Sequence, residues 1–230
     1  MTTRDWVAIN GPKPSTWTMK IAPEPIPNGK KILIAVPTCE ETAARRKACE
    51  ETWASTKLAE VRFFTSEDLG VPITAESSRL KTDELGFVNR PGQALSVRQT
   101  YLCRWALERN YDFVFKCDDD TYVWVDRLLH SGFANHDYSG YAQDWHNPPF
   151  ASGGAGYWLS RKAMLVIANA TRWMDPEDVW VATTLHSARI FLHGDVRYRW
   201  NLPPIITNDL ISVHYVKDPA LMHKIHNGVL

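Results

Sequence analysis

Asp118-Asp119-Asp120 follow directly on the apolar run Phe113-Val114-Phe115-Lys116-Cys117. Adjacent carboxylates repel one another, so holding three together away from bulk water calls for a compensating cation. All-oxygen donors of this kind suit a hard divalent metal, Mn²⁺ or Mg²⁺. A solvated acidic turn, with Asp120 capping the next helix, is the plainer reading. His214 lies in the alternating stretch Ile211-Ser212-Val213-His214-Tyr215-Val216 and is the late histidine best placed to complete a metal shell. His193, His223 and His226 are its rivals. Glu177 and Asp178 stand where a helix should begin, so one of them can serve as a general base or both can complement the helix dipole. Ser152-Gly153-Gly154-Ala155-Gly156 is a loop whose backbone can turn tightly or meet a ligand at close range.

Those groups need a scaffold, and the hydrophobic pattern supplies one. Residues 31–36, 61–65, 112–116, 138–142 and 156–159 read as strands, with two more expected at 205–207 and 211–216. Helical patterns cover 40–53, 94–109, 161–170 and 176–187; the second carries Leu95, Tyr101, Leu102, Trp105 and Ala106 on one side. Strands alternating with helices predict an α/β fold, a Rossmann-like, mostly parallel sheet with helices on both faces. In such sheets ligands sit beyond the carboxyl ends of the strands, where Asp118 to Asp120 fall. Residues 1–29 hold five of the fourteen prolines and read as an extended arm, with Trp6 and Trp17 pinning it to the body.

Composition excludes several classes. A chain of 230 residues, 44% hydrophobic and 23% charged, is neither disordered nor collagen-like. Lys plus Arg (26) equals Asp plus Glu (26), which argues against binding driven by bulk attraction to phosphate backbones. The loop Pro37-Thr38-Cys39-Glu40-Glu41-Thr42 has no glycine fingerprint for a dinucleotide, and no phosphate-loop lysine motif occurs. Cys39, Cys49, Cys103 and Cys117 form no metal-type pair and read as reduced structural thiols. With neither an apolar leader nor a membrane span in the sequence, a soluble, cytoplasmic protein is expected.

Taken together the blocks resemble the Fringe and β-1,3-galactosyltransferase family of glycosyltransferases. Arg45-Arg46-Lys47-Ala48 with Thr52-Trp53 is similar to its arginine-rich block, and Leu95-Ser96-Val97-Arg98 echoes a helix segment. Lys116 to Val123 resembles its Lys-x-Asp-Asp-Asp stretch, Ala151 to Ser160 its Ser-Gly-Gly-Ala-Gly-Tyr block, and Pro176 to Val179 its Glu-Asp-Val helix start. The resemblance implies a GT-A fold over 30–230, with a nucleotide-binding part at about 30–125 and an acceptor part at about 126–220. It implies an inverting, Mn²⁺-dependent transfer (Mg²⁺ as the alternative) from a UDP-sugar, of hexosyl or N-acetylhexosaminyl type. Asp120 and His214 would be the metal ligands. Thr38, Arg45, Arg46, Lys116, Asp118, Asp119, Gly153, Gly154 and Gly156 would hold the nucleotide-sugar, with Asp178 as general base and Glu177 as the fallback. Glu50 departs from the family, where arginine is common.

The acceptor is expected to be a glycan or protein hydroxyl, or a hydroxylated DNA base extruded from its stack. Arg189, Arg197 and Arg199, interleaved with Phe191, Tyr198 and Trp200, form either a surface for DNA or a packed strand with solvated arginines. Trp53, Trp158 and Trp180 are offered as rings on which a sugar face stacks. The alternative to an enzyme is a non-catalytic nucleotide- or carbohydrate-binding relative.

Overall fold

The computed structural model describes residues 24–71, 93–172 and 176–229. Trp6, Trp17, most of the expected arm over 1–29 and nearly all of the loop-rich stretch from 71 to 92 lie outside these residues.

In chain order the elements are β1 (Ile32–Pro37), α1 (Ala43–Glu51), β2 (Glu60–Phe64), α2 (Gln93–Glu108), β3 (Phe113–Lys116), β4 (Tyr122–Val123) and α3 (Val125–Leu129). There follow β5 (Tyr138–Gly140), β6 (Ala142–Gln143), β7 (Phe150–Ala151), β8 (Tyr157–Ser160), α4 (Arg161–Ala168) and α5 (Glu177–Ser187). The chain closes with β9 (His193–Gly194), β10 (Tyr198–Arg199), β11 (Ser212–Val213) and α6 (Pro219–His226).

The main sheet has the order β2-β1-β3-β8-β5-β9. Among the described strands of this sheet only β8 runs against the rest, pairing antiparallel with β3 and β5. The run Ile32 to Val36 is apolar throughout because both faces of the sheet are covered. Leu33, Ala35, Val114, Tyr157 and Leu159 face a core that includes buried residues of α2, α4 and α5. Ile34, Val36, Phe115 and Trp158 alternate with them and face a second core built with α1 and α6. The two-residue period of a strand thus serves two hydrophobic layers from one sequence. This is the α/β architecture expected, with helices on both faces.

Local signals set the helix ends. Ser160 caps α4 by accepting from the Ala163 N–H at 3.2 Å, and Asp218 caps α6 through the Ala220 N–H at 2.9 Å with Pro219 at its first turn. The expected strand at 205–207 does not form. Pro203 and Pro204 remove two backbone donors just before it, and Asn208-Asp209 turns the chain. The strand expected over 211–216 is only Ser212–Val213, and Tyr198–Arg199 pairs beside it.

Trp53, Trp158 and Trp180 are all buried, at 4%, 0% and 3% exposure. Trp158 stacks on Phe133 at 3.8 Å between centroids and packs against Phe115. These rings therefore build the core and offer no face to a sugar, which corrects the role expected for them. Gly156 lies behind the same cluster with φ +93°, and a Cβ there would come within 2.2 Å of the Phe115 ring. A Gly156→Ala variant is expected to lose about 2–4 kcal/mol of stability, from overpacking and backbone strain together. A denaturant midpoint unchanged from wild type would refute that account.

All four cysteines are free thiols, and Cys49, Cys103 and Cys117 are buried. Burial pushes the Cys49 thiol up to about 12, so it packs as a small apolar group.

Candidate active site

The acidic run turns immediately beyond β3, where the Thr121 N–H donates to the Asp118 carbonyl. The Asp120 carbonyl accepts from the Val216 N–H at 2.8 Å, which ties this turn to the segment after β11. That segment carries His214, whose N–H donates to the Arg199 carbonyl. Tyr215 follows with φ +64°, a left-handed conformation that bulky residues seldom take. The strained turn and the paired strands together set the position of the His214 ring.

Asp118, Asp120 and His214 each offer one ligand atom, and these atoms lie within 4.8 Å of one another. His214 Nε2 is 3.0 Å from Asp120 Oδ1 and 3.8 Å from Asp118 Oδ2. The imidazole reaches this place only because residue 154 has no side chain: a Cβ at Gly154 would sit 2.1 Å from the ring. Thr121 Oγ1 donates to the Gly154 carbonyl at 2.7 Å and fixes the loop in that position. Two carboxylates and one imidazole, partly sheltered, make a donor set that fits a divalent cation. Gly154→Ala is expected to push His214 out and weaken Mn²⁺ binding by about 10–100-fold. Titration calorimetry with Mn²⁺ checks this, and unaltered affinity would exclude His214 from the cluster.

Asp119 is held differently. Its Oδ2 accepts from Thr38 Oγ1 at 2.8 Å and from Thr42 Oγ1, and its carbonyl accepts from Cys49 Sγ. Burial raises its pKa, and the two threonine hydroxyls offset part of that rise. Arg45 Nη1 stands 4.0 Å from both Asp119 and Asp120. Arg46 instead pairs with Glu50 at 2.8 Å and lies over the Phe63 ring on the surface. Of the two arginines, the structure brings Arg45 to the acidic run and leaves Arg46 away from it. Glu50 serves as the partner of Arg46.

Lys116 joins the aspartates to the acidic helix start. Its Nζ donates to Asp118 Oδ1 at 2.9 Å, to the Gly153 carbonyl at 3.2 Å and to Glu177 Oε2 at 3.4 Å. Burial disfavours its charge, yet Asp118 and Glu177 outweigh that and push its pKa up, so Lys116 is a fixed cation. Burial likewise acts to raise Asp118, but Lys116 and His214 win and hold that carboxyl below the usual range. Glu177 is buried, takes the Tyr157 hydroxyl on Oε1 and Lys116 on Oε2, and is raised by burial. Asp178 receives the Gly153 N–H at 3.1 Å on Oδ2 and the Val179 N–H at 2.9 Å on Oδ1. Burial raises its pKa too, partly offset by the Gly153 N–H. Gly153 thus touches both acidic groups, one through its carbonyl and Lys116, the other through its N–H.

Arg98 is an addition to the expected site residues. It projects from α2 with its Nε buried and without a hydrogen-bond partner, in the field of Cys39, Asp118 and Asp119. Burial lowers its pKa, and the two aspartates oppose that. The signal available in the sequence is an arginine set within the amphipathic run 94–109. His193 stacks on His136 at 3.6 Å, His223 pairs with Glu51, and His226 bonds Tyr122. None of the three rivals joins the cluster. Arg197 is committed to Asp195 and to the Ser131 carbonyl, and Tyr198 is buried, whereas Phe191 and Trp200 are exposed.

Fold and site together define an α/β protein with a carboxylate–imidazole cluster beyond the carboxyl ends of its parallel strands. The same fold occurs in a solved glycosyltransferase involved in the glycosylation of the major capsid of PBCV-1. That structure superposes with a TM-score of 0.51 and 17% identity, covering 86% of this chain and 99% of its own. A second structure, A197 from STIV, aligns over 82% of this chain and 87% of its own at TM-score 0.46 and 10% identity, too loosely to carry an argument. The chain matches no protein-family model, and no curated protein matches it in sequence. No described helix is long and apolar enough to cross a membrane.

Proposed function

We propose that this protein is a metal-dependent glycosyltransferase that moves a sugar, with inversion, from a UDP-sugar to an acceptor hydroxyl. The observation that carries the reading is the convergence of Asp118, Asp120 and His214, drawn from the turn after β3 and the strained turn after β11, on one small volume. Glu177 and Asp178 are coupled to that volume through Lys116 and Gly153. The fold shared with a solved glycosyltransferase supports it.

Breaking the bond between sugar C1 and the diphosphate leaves negative charge on the leaving oxygens. Asp118, Asp120 and His214 would hold a divalent cation, most simply Mn²⁺, which would supply positive charge to offset that on the leaving oxygens. Arg45, beside Asp119 and Asp120, and Arg98, with its free Nε, add fixed positive charge on the same side. Lys116 keeps Asp118 ionised and ready as a ligand. Asp178 takes the proton of the acceptor hydroxyl as that oxygen attacks C1 from the face opposite the diphosphate. Glu177 is less suited to this work, because it is buried and ion-paired with Lys116, whereas Asp178 is only half-buried.

The direct test offers a panel of UDP-sugars to the protein with Mn²⁺, and again with chelator. Release of UDP that needs the cation is the expected result. A protein that binds UDP tightly but turns over no donor, even to water, would instead be the non-catalytic relative.

A further inference from the structure

A cavity of about 430 Å³ opens beside α5, within the roughly 300–1,000 Å³ range of small-ligand sites. Asp144, Pro148, Pro149, Ala182, His186 and Phe191 contribute to its walls. We infer that this cavity is the acceptor subsite and that its occupant is a neutral saccharide; the assignment rests on Asp178 being the base of the proposed transfer.

The first argument is position. Ala182 and His186 stand four and eight residues after Asp178, so all three lie on one stripe of α5, spaced by about 6 Å per step. The opposite wall, from Asp144 to Pro149, runs straight into β7, and two residues beyond β7 the Gly153 N–H donates to Asp178. Both walls therefore lead to the same carboxylate. Asp178 does not itself line the cavity; an acceptor seated along the stripe would reach about one helical turn past Ala182 to place a hydroxyl at that carboxylate.

The second argument is chemistry. Phe191 is 63% exposed, an aromatic ring left open to water at the cavity wall. It is held edge-on to His186 at 5.2 Å between centroids, so it is a preset surface on which the C–H face of a sugar ring packs. Pro148 and Pro149 add a stiff apolar wall with no N–H donors. Asp144 supplies the acceptor-only carboxylate that paired sugar hydroxyls satisfy. Trp145, next to Asp144, is a further ring left 66% exposed.

The third argument is charge. Among the described residues no lysine or arginine lines the cavity, and its one carboxylate would face any polyanion. Duplex DNA brings about one negative charge per 1.7 Å and is bound by cations that neutralise it. A neutral glycan meets no such penalty.

The test uses the full chain with Mn²⁺ and UDP on an array of neutral oligosaccharides, with duplex DNA containing hydroxymethylated cytosine spotted beside them. UDP-sugar hydrolysis, in which water is the acceptor, is measured in parallel. Wild type is expected to be retained by a subset of the oligosaccharides. Phe191→Ala and Asp144→Asn are expected to weaken that retention about tenfold or more, while hydrolysis stays within about twofold of wild type. Retention on the DNA alone, on none of the spots, or equally by both variants overturns the assignment. Loss of hydrolysis in wild type with retention intact would instead sink the donor chemistry and leave the cavity as a saccharide site.

Discussion

Asp120→Ala is expected to lower UDP-sugar turnover by roughly 10²–10³-fold and to abolish the response to Mn²⁺. The carboxylate is buried at 5% exposure, 3.0 Å from His214 and 4.0 Å from Arg45, so two roles compete for it. As one half of a structural ion pair it would stabilise the protein whether or not metal is added. As a ligand it stabilises through binding, which at 100 times the dissociation constant contributes about 2.7 kcal/mol. For a chain of this size that is a rise of about 5–10 °C in Tm. The variant should therefore lose the Mn²⁺-induced rise, whereas its Tm without metal changes little, because removing one of three crowded carboxylates also relieves repulsion. A variant that loses Tm without metal yet keeps the Mn²⁺ response would make Asp120 structural only.

Asp178→Asn is expected to reduce kcat by about 10²–10⁴-fold while the KM for the UDP-sugar stays near wild type. Asparagine keeps an oxygen for the Gly153 N–H, so the loop geometry survives, while the proton acceptor and the local bond from the Val179 N–H are lost. The pH profile gives an independent check. Burial raises the Asp178 carboxyl above its ordinary value of 3.8, so wild-type kcat should fall with acidity at a pH higher than an exposed aspartate would give. The variant should lack that limb. Stability should move the other way. A carboxyl raised in the folded state binds its proton more tightly there than in the unfolded chain, so its contribution is full below the unfolded pKa and declines as pH rises through the folded one. At neutral pH the asparagine variant should thus be no less stable than wild type. Equal losses of kcat and stability would mean that Asp178 only holds the loop.

Much of this site is legible in the sequence where the relevant information is local. The apolar run before Asp118 and the acidic start of α5 announce themselves within a few residues, because strand and helix periodicities are short-range. Choices between neighbours are not legible in the same way. Arg45 and Arg46 are adjacent on α1, where successive side chains diverge by about 100°, and only the packing of α1 against the core decides which meets the aspartates. The tryptophans show the same limit: composition cannot distinguish a ring that stacks on a ligand from one that, like Trp158, is stacked on Phe133.

The sequence by itself determined the alternating α/β order, the acidic run at the end of β3, and the acidic pair at the head of α5. It left four histidines in contention and three closely spaced glycines with one common explanation. Tertiary structure selected His214, since a strained turn after β11 aims that ring through the gap at Gly154. It also separated the glycines by role, with Gly154 admitting His214, Gly156 admitting Phe115, and Gly153 lending its N–H to Asp178. Each of these contacts joins residues that are far apart in the chain. Their geometry is set by how strands stack and turns strain, which no pattern within a short window of residues encodes.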